Sequence, residues 1–324
     1  MTQNGAIVPA TGENIAFAAR LITEGKLVAF PTETVYGLGA DATDDRAVAT
    51  VFAAKKRPNF NPLIVHFADA EAAASAVKFD DRAMKLAGAM WPGALTMILF
   101  RHKEGKVSLL AGAGQDRLAV RVPGDRTALA LLRAAGRPLT SPSANRSGDV
   151  SPTTAAHVAE SLGGAVDLIL DGGPCRVGIE STIVDLTEES PLIMRPGAIS
   201  ARDIEAVIGP LYSACNVPCV GPSAPGRASG GRQYATRLPL RLDAGEVKCG
   251  EALLAFGSEA IKGEAERVLN LSPSGDLTEA AANLFAMLHD LDNPAFHAIA
   301  VMPIPEDGLG RAINDRLRRA TAGP

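Results

Sequence analysis

Along the first 200 residues, short apolar runs alternate with stretches of helical period, the pattern of an α/β domain. Apolar Ile15, Ala18, Ala19 and Ile22 recur at helical spacing behind Thr11, which predicts a helix capped by Thr11 and running to about Glu24. Leu27 to Phe30 then reads as a buried strand, Asp44 to Lys56 as a helix and Leu63 to Phe67 as a second buried strand. Further strands are predicted near 94–100, 118–122, 167–171, 181–186 and 191–195, and helices near 80–90, 126–135 and 152–162. The Ala-rich stretch 69–75 is ordinary helix-forming sequence.

The pattern changes after about Pro210. Residues 216–239 are dense in breakers, among them Pro218, Pro222, Pro225, Gly226, Gly230 and Gly231, too many for a helix or a central strand. Beyond them come apolar runs at 252–256 and 268–271, a helix from Leu277 to Leu291, a strand from Ala298 to Met302 and a helix from Leu309 to Arg319. The division expected is 1–209 for a first α/β domain, 210–242 for a linker and 243–324 for a small Rossmann-like α/β domain. The length of 324 residues agrees with two cores rather than one.

A hydrophobic content of 47% with 21% charged residues and a mean hydropathy of +0.11 marks a globular chain. No apolar run reaches the roughly 18 residues a bilayer requires, and the start MTQNGAIVPATGEN lacks a secretory leader's basic and apolar regions. A cytoplasmic location is expected. The net charge of −4 and a pI near 5.8 argue against a strongly basic nucleic-acid-binding surface. Cys175, Cys215, Cys219 and Cys249 are too scattered for a disulfide framework, and no second Cys or His pair stands near Cys215 and Cys219 to complete a zinc site.

Candidate chemistry begins with PTETVYGLGADA (31–42), between a predicted strand and a predicted helix, where α/β sheets bind ligands. Gly37, Gly39 and Ala42 match the dinucleotide fingerprint G-x-G-x-x-A, so a nicotinamide or flavin oxidoreductase is one reading. About 20 positions on, where that reading needs an acidic residue, stand Lys55, Lys56 and Arg57. Three cations suit phosphate, Arg57 being able to fork onto two oxygens; they equally suit a helix C-terminus. No Walker motif occurs, which excludes a P-loop enzyme. NPLIVHF (61–67) is a strand ending near His66, a place where a lone histidine is ordinarily a core residue. RLAVRVPGD (117–125) puts Arg117 and Arg121 on one face of a strand, where like charges call for an anion nearby. TSPSANRSGDVSPT (140–153) offers Ser141, Ser143, Asn145 and Ser151 on a loop; its plain reading is a turn before a helix with Pro152 at the first helical position.

In order, PTETVYGLG, the K-x-R of KKRP, NPLIVH, VRVPG, the S-x-N of SPSAN, GIESTIVD (178–185) and RPG (195–197) resemble the YrdC-like threonylcarbamoyl-AMP synthases, over about residues 12–205. Pro225, Gly226, Tyr234 and Ala235, with the small domain after them, resemble the longer two-domain Sua-type branch. The resemblance implies a twisted open α/β sheet with a basic concave face, forming threonylcarbamoyl-AMP and pyrophosphate from L-threonine, bicarbonate and ATP. That product serves N6-threonylcarbamoyladenosine modification at position 37 of tRNAs. By matched position, Thr34, His66, Arg121, Ser141 and Ser181 would surround L-threonine. Arg57, Asn61, Arg117, Ser143, Asn145, Ser151 and Arg195 would contact ATP, with Tyr234 over the nucleotide from an active-site lid formed by the linker. Lys55 and Arg57 would be catalytic, neutralising phosphate together with a Mg²⁺ carried by ATP and not by protein side chains. Gln233 stands where the linker motif often has His, and Arg117 where a small hydroxyl residue is common. His66 and Glu33 could each serve as general base. Expected partners are the tRNA threonylcarbamoyl-transfer proteins, with direct tRNA binding weak or absent. The competing reading is a YrdC-like RNA-binding module that makes no adenylate.

Overall fold

Most helices start on a side chain that accepts a hydrogen bond from the first turn: Thr11, Asp44, Asp69, Asp80, Asp125, Thr154, Ser200 and Asp276. Each satisfies an amide that the helix itself leaves open. The computed structural model describes residues 5–58, 60–213 and 233–322. Among these, β1 (Ala6–Pro9), β2 (Val28–Phe30), β3 (Gly37–Asp41), β4 (Ile64–His66), β5 (Leu95–Phe100), β6 (Arg117–Arg121), β7 (Leu139–Thr140), β8 (Leu168–Asp171), β9 (Thr182–Asp185), β10 (Leu192–Arg195) and β11 (Tyr212–Ser213) form one mixed sheet. Their order is β1-β8-β2-β3-β7-β4-β6-β5-β9-β10-β11. The helices of this part are α1 (Gly12–Thr23), α2 (Asp45–Lys55), α3 (Ala70–Ala74), α4 (Asp81–Met90), α5 (Arg126–Ala135), α6 (Ala155–Leu162) and α7 (Ala201–Ile208).

A second sheet of β12 (Leu240–Arg241), β13 (Glu251–Ala255), β14 (Val268–Asn270) and β15 (Ala298–Val301) is parallel throughout, in the order β12-β15-β13-β14. It carries α8 (Leu277–Leu291) and α9 (Leu309–Thr321). The predicted βαβα pattern is present, and β12 adds a strand inside the stretch expected to be linker.

Several expectations change. The segment 37–41 is the strand β3, paired antiparallel with β2 so that Phe30 faces Gly37 and Val28 faces Gly39. A Cβ at Gly37 would lie 2.0 Å from the Ser141 hydroxyl, and one at Gly39 would lie 2.8 Å from the Phe30 ring. These glycines therefore permit close packing in a sheet and do not form a phosphate-binding turn, which removes the dinucleotide reading. Helix α6 starts at Ala155 under a Thr154 cap, not at Pro152, whose carbonyl instead accepts the Tyr36 amide at 2.9 Å. Strands β1 and β11 and helix α7 carry patterns too short or too mixed to stand out in sequence.

The main apolar cluster packs Leu38, Val48, Val51, Leu63, Val65, Leu86, Leu95 and Met97. A second cluster joins the two sheets: Val35, Val150 and Ile179 pack with Leu254, Leu284, Phe285, Leu288 and Ile313. Burying apolar surface across this junction removes it from water at about 25 cal/mol per Å². Gly178 sits at the closest approach. Its φ is +74°, and an added Cβ would fall 2.4 Å from the Ala281 carbonyl oxygen and 2.5 Å from Ala282 Cα on α8. A second junction is aromatic, with His157 of α6 stacked on His289 of α8 at 4.0 Å between ring centroids.

Gly178→Ala is expected to cost about 1–3 kcal/mol, because both the left-handed backbone and the contact with α8 are lost. Denaturant titration checks this, and an unchanged midpoint would show that α8 yields freely. The stacked histidines predict a pH dependence. Burial, then His289, pulls His157 down to about 4, and burial lowers His289 below its ordinary value. Between that range and the unfolded value near 6.5 the unfolded chain binds more protons, so stability rises with pH there. Thermal stability should be level from pH 8 to 7 and decline as pH falls from about 6.5 toward 4. His157→Gln should flatten that decline; an equally steep decline in the variant would assign it to other groups.

Candidate active site

Side chains alternate across a strand, and the cleft is built from one set of alternating positions. Ile64 and His66 of β4, Ala119 and Arg121 of β6, and Ser181 and Ile183 at β9 all line it. Strands β4 and β6 run parallel with His66 opposite Arg121, which brings two motifs distant in sequence side by side. The loop after β2 adds Thr34, the end of α2 adds Lys55 and Arg57, and the loop after β7 adds Ser141, Ser143, Asn145 and Ser151. Asn61, Arg195, Gln233 and Tyr234 complete the wall. Of the residues expected from sequence, Arg117 and the candidate base Glu33 do not line the cleft, Glu33 lying behind it against Arg121. Arg117 shares the face of Arg121, but four residues along a strand is about 13 Å, and its guanidinium pairs with Asp185 at 3.3 Å. The like charges of Arg117 and Arg121 are thus balanced by internal carboxylates, not by one shared anion.

At the deep end, Arg121 Nη2 lies 2.6 Å from Glu33, the two side chains being 4% and 2% exposed. Arg121 also donates from Nη1 to the Thr34 hydroxyl at 3.0 Å and from Nε to the Gly93 carbonyl at 3.0 Å. Burial opposes ionisation of Glu33, but Arg121 and the Gly124 amide outweigh it and leave its pKa below the ordinary value. Burial, then Arg121, drives His66 well below its ordinary range, so its ring is neutral. Both His66 nitrogens and the Ser141 hydroxyl are buried without a hydrogen-bond partner among the described residues. Such groups are costly in a folded protein. Gathered beside an ion pair, they suit a small ligand carrying several donors and acceptors.

At the other end, the K-x-R spacing has a local cause. Helix α2 ends because Lys56 takes a left-handed φ of +50°, which turns Lys55 inward and sends Arg57 along the cleft. The buried Lys55 amine donates to the carbonyls of Ser143 and Asn145, each at 2.5 Å, and so ties down the loop that carries both residues. Arg57 is held by the Asn61 carbonyl at 3.1 Å and the Pro62 carbonyl at 3.0 Å. Burial, then Arg195, lowers Arg57 to about 10, which still leaves it a cation at neutral pH. Arg195 donates to the Ser181 carbonyl and hydroxyl at 2.9 and 3.2 Å. None of these cations serves its own helix end; they converge on one wall.

Two important residues escape sequence reasoning. Glu180 lies within GIESTIVD, accepts the Ser151 hydroxyl at 2.6 Å and receives Arg316 Nε at 3.0 Å. Arg316 comes from α9 of the second sheet. Its one signal is position, an arginine among the buried Ala312, Ile313, Leu317 and Ala320 of an otherwise apolar helix face. Tyr234 is buried with φ +59°, stacks on Phe285 at 5.4 Å and has the Arg316 guanidinium 5.6 Å from its ring. Gln233 accepts from Arg319 Nη1 at 3.1 Å. Most of the expected lid, 216–232 with Pro225 and Gly226, lies outside the described residues, as do Cys215 and Cys219. Among the described residues no group of three or more His, Cys, Asp or Glu could hold a metal ion. No described helix is long and apolar enough to cross a membrane.

Comparison with known proteins places the chain in a family. A family model described as "Telomere recombination" matches residues 20–197, and one described as "Threonylcarbamoyl-AMP synthase, C-terminal domain" matches residues 199–322. The threonylcarbamoyl-AMP synthase of Pyrococcus abyssi is 40% identical over 95% of this chain and 94% of its own length. That of Bacillus subtilis is 38% identical over 95% and 93%. The crystal structure of Pyrococcus abyssi Sua5 complexed with L-threonine superposes with a TM-score of 0.89 at 37% identity, covering 98% of this chain and 97% of that one. This chain belongs to the threonylcarbamoyl-AMP synthase family, in its two-domain form.

Proposed function

We propose that this chain is a nucleotidyltransferase that makes threonylcarbamoyl-AMP and pyrophosphate from L-threonine, bicarbonate and MgATP, the activated group for position 37 of tRNAs. The observation that carries the reading is the cleft's division into two ends. One holds an ion pair and unpartnered polar groups at Glu33, His66, Arg121 and Ser141; the other gathers Lys55, Arg57 and Arg195. The names of the full-length relatives, and the L-threonine bound in the solved one, support it.

In this reading threonine occupies the first end. Arg121, held in place by Glu33 and Thr34, presents its charge to the threonine carboxylate, while Thr34, Ser141 and Ser181 meet the polar groups of the substrate. Glu33 is committed to Arg121, and the neutral His66 ring offers the threonine amine a hydrogen-bond partner through its unpartnered nitrogens. The deprotonated amine attacks carbon dioxide or bicarbonate to give a carbamate, whose oxygen attacks the α-phosphorus and expels pyrophosphate. Such a displacement depends on in-line placement and charge neutralisation more than on covalent help. Arg57 and Arg195 supply positive charge there, whereas Lys55, expected from the resemblance to neutralise phosphate, spends its amine on the Ser143 and Asn145 carbonyls and keeps that loop in place. Magnesium would enter on the nucleotide's phosphates, where it would neutralise their charge. The acidic balance of the chain favours product transfer by partner proteins over direct tRNA binding, in the cytoplasm.

Pyrophosphate release should require ATP, L-threonine and bicarbonate together; release that ignores threonine would overturn the reading. Valine should be poorer by about two orders of magnitude or more in kcat/KM, because it leaves buried polar groups unpaired. Serine should lose only about one methyl contact, roughly 1 kcal/mol. Arg121→Ala should weaken threonine binding by about 2–5 kcal/mol and ATP binding far less; equal losses in calorimetry would reject the carboxylate assignment.

A further inference from the structure

Arg316 is fully buried on the apolar face of α9. A buried ion costs several kcal/mol unless it is paired and hydrogen-bonded, so its partners indicate what it is for. Asp315 beside it, at 3.0 Å, is the one local partner. The others belong to the cleft wall or border it: Glu180 Oε2 at 3.0 Å, the Pro196 carbonyl at 2.5 Å, and the face of Tyr234 at 5.6 Å. Glu180 uses its second oxygen to accept the Ser151 hydroxyl at 2.6 Å. The second sheet's other helix reaches the same loop, His289 Nε2 lying 3.2 Å from the Ser151 carbonyl.

A hydroxyl has one proton to give. Ser151 spends its proton on Glu180, so its oxygen faces the cleft as an acceptor only. It can then meet a ribose hydroxyl or an exocyclic amine, both of which carry protons, but not a phosphate oxygen, which carries none. We propose that Arg316 is a positioning residue delivered by the second sheet, which acts through Glu180 to present Ser151 as a hydrogen-bond acceptor to the nucleoside part of ATP. Without the guanidinium, Glu180 has no cation within hydrogen-bond distance among the described residues and no longer fixes the Ser151 proton. This inference rests on the nucleotide-binding reading of the cleft given above.

The test measures ATP and L-threonine affinities by calorimetry, and KM for each by pyrophosphate release, on the full chain. Arg316→Met should weaken ATP about tenfold, the loss of one hydrogen bond of ordinary strength, while threonine affinity stays within about twofold. Arg316→Lys, which keeps the charge but not the fork, should recover part of the loss. In a Ser151→Ala background Arg316→Met should add less than about twofold, since both changes cut one linkage. A folded Arg316→Met protein with unchanged ATP affinity, equal losses for both ligands, or full additivity with Ser151→Ala would each overturn the proposal. If Arg316→Met does not fold, Glu180→Gln decides: ATP-selective weakening supports the linkage, and unchanged ATP affinity overturns it. Wild-type protein that binds no ATP would instead overturn the functional reading and take this proposal with it.

Discussion

Charge removed from water must be matched within the protein, and that constraint organises this molecule. Arg121 is buried against Glu33, Arg316 against Glu180, and the Lys55 amine against two carbonyls of one loop. Each pairing joins chain segments remote in sequence. Arg316 and Glu180 are separated by 136 positions and by a change of sheet. The cleft is what remains between these matched groups, and the polar atoms left unmatched in it, at His66 and Ser141, are those a ligand would satisfy.

Close backbone approach is the second requirement. Gly37 and Gly39 admit Ser141 and Phe30 against β3, and Gly178 admits α8 against the entry to β9. A side chain at any of them would push apart the elements that carry the cleft. Lys56 acts by conformation: its left-handed backbone ends α2 between two cations that then serve different parts of the wall. The motif spacing K-x-R is the trace of that helix end.

The second sheet is joined to the first by more than chain connection. Its helices share an apolar cluster with Val35, Val150 and Ile179, stack His289 on His157, and bury Arg316 against the cleft wall. A chemistry that makes a labile mixed anhydride benefits from a site shielded from water, and Arg316 of the second sheet's α9 braces two residues of this wall, Glu180 and Tyr234.

Much of the fold was legible in local pattern. Apolar runs of β-type length marked β2, β4, β5, β6, β8, β9 and β10, while caps and helical spacing marked α1, α2, α4, α5, α8 and α9. The ordered motifs, through the family they resemble, named many of the residues that line the cleft. Other features needed three dimensions. Segment 37–41 reads as a glycine loop, yet pairing with β2 makes it a strand. Arg117 reads as a partner of Arg121, yet Asp185 on another strand neutralises it. Arg316 reads as one of several basic residues on α9, yet burial against Glu180 sets it apart. Period, caps and breakers are local and were decided by the sequence; the partner of a charge, and the neighbour that makes a strand, are set by chain segments that meet only when the sheets close.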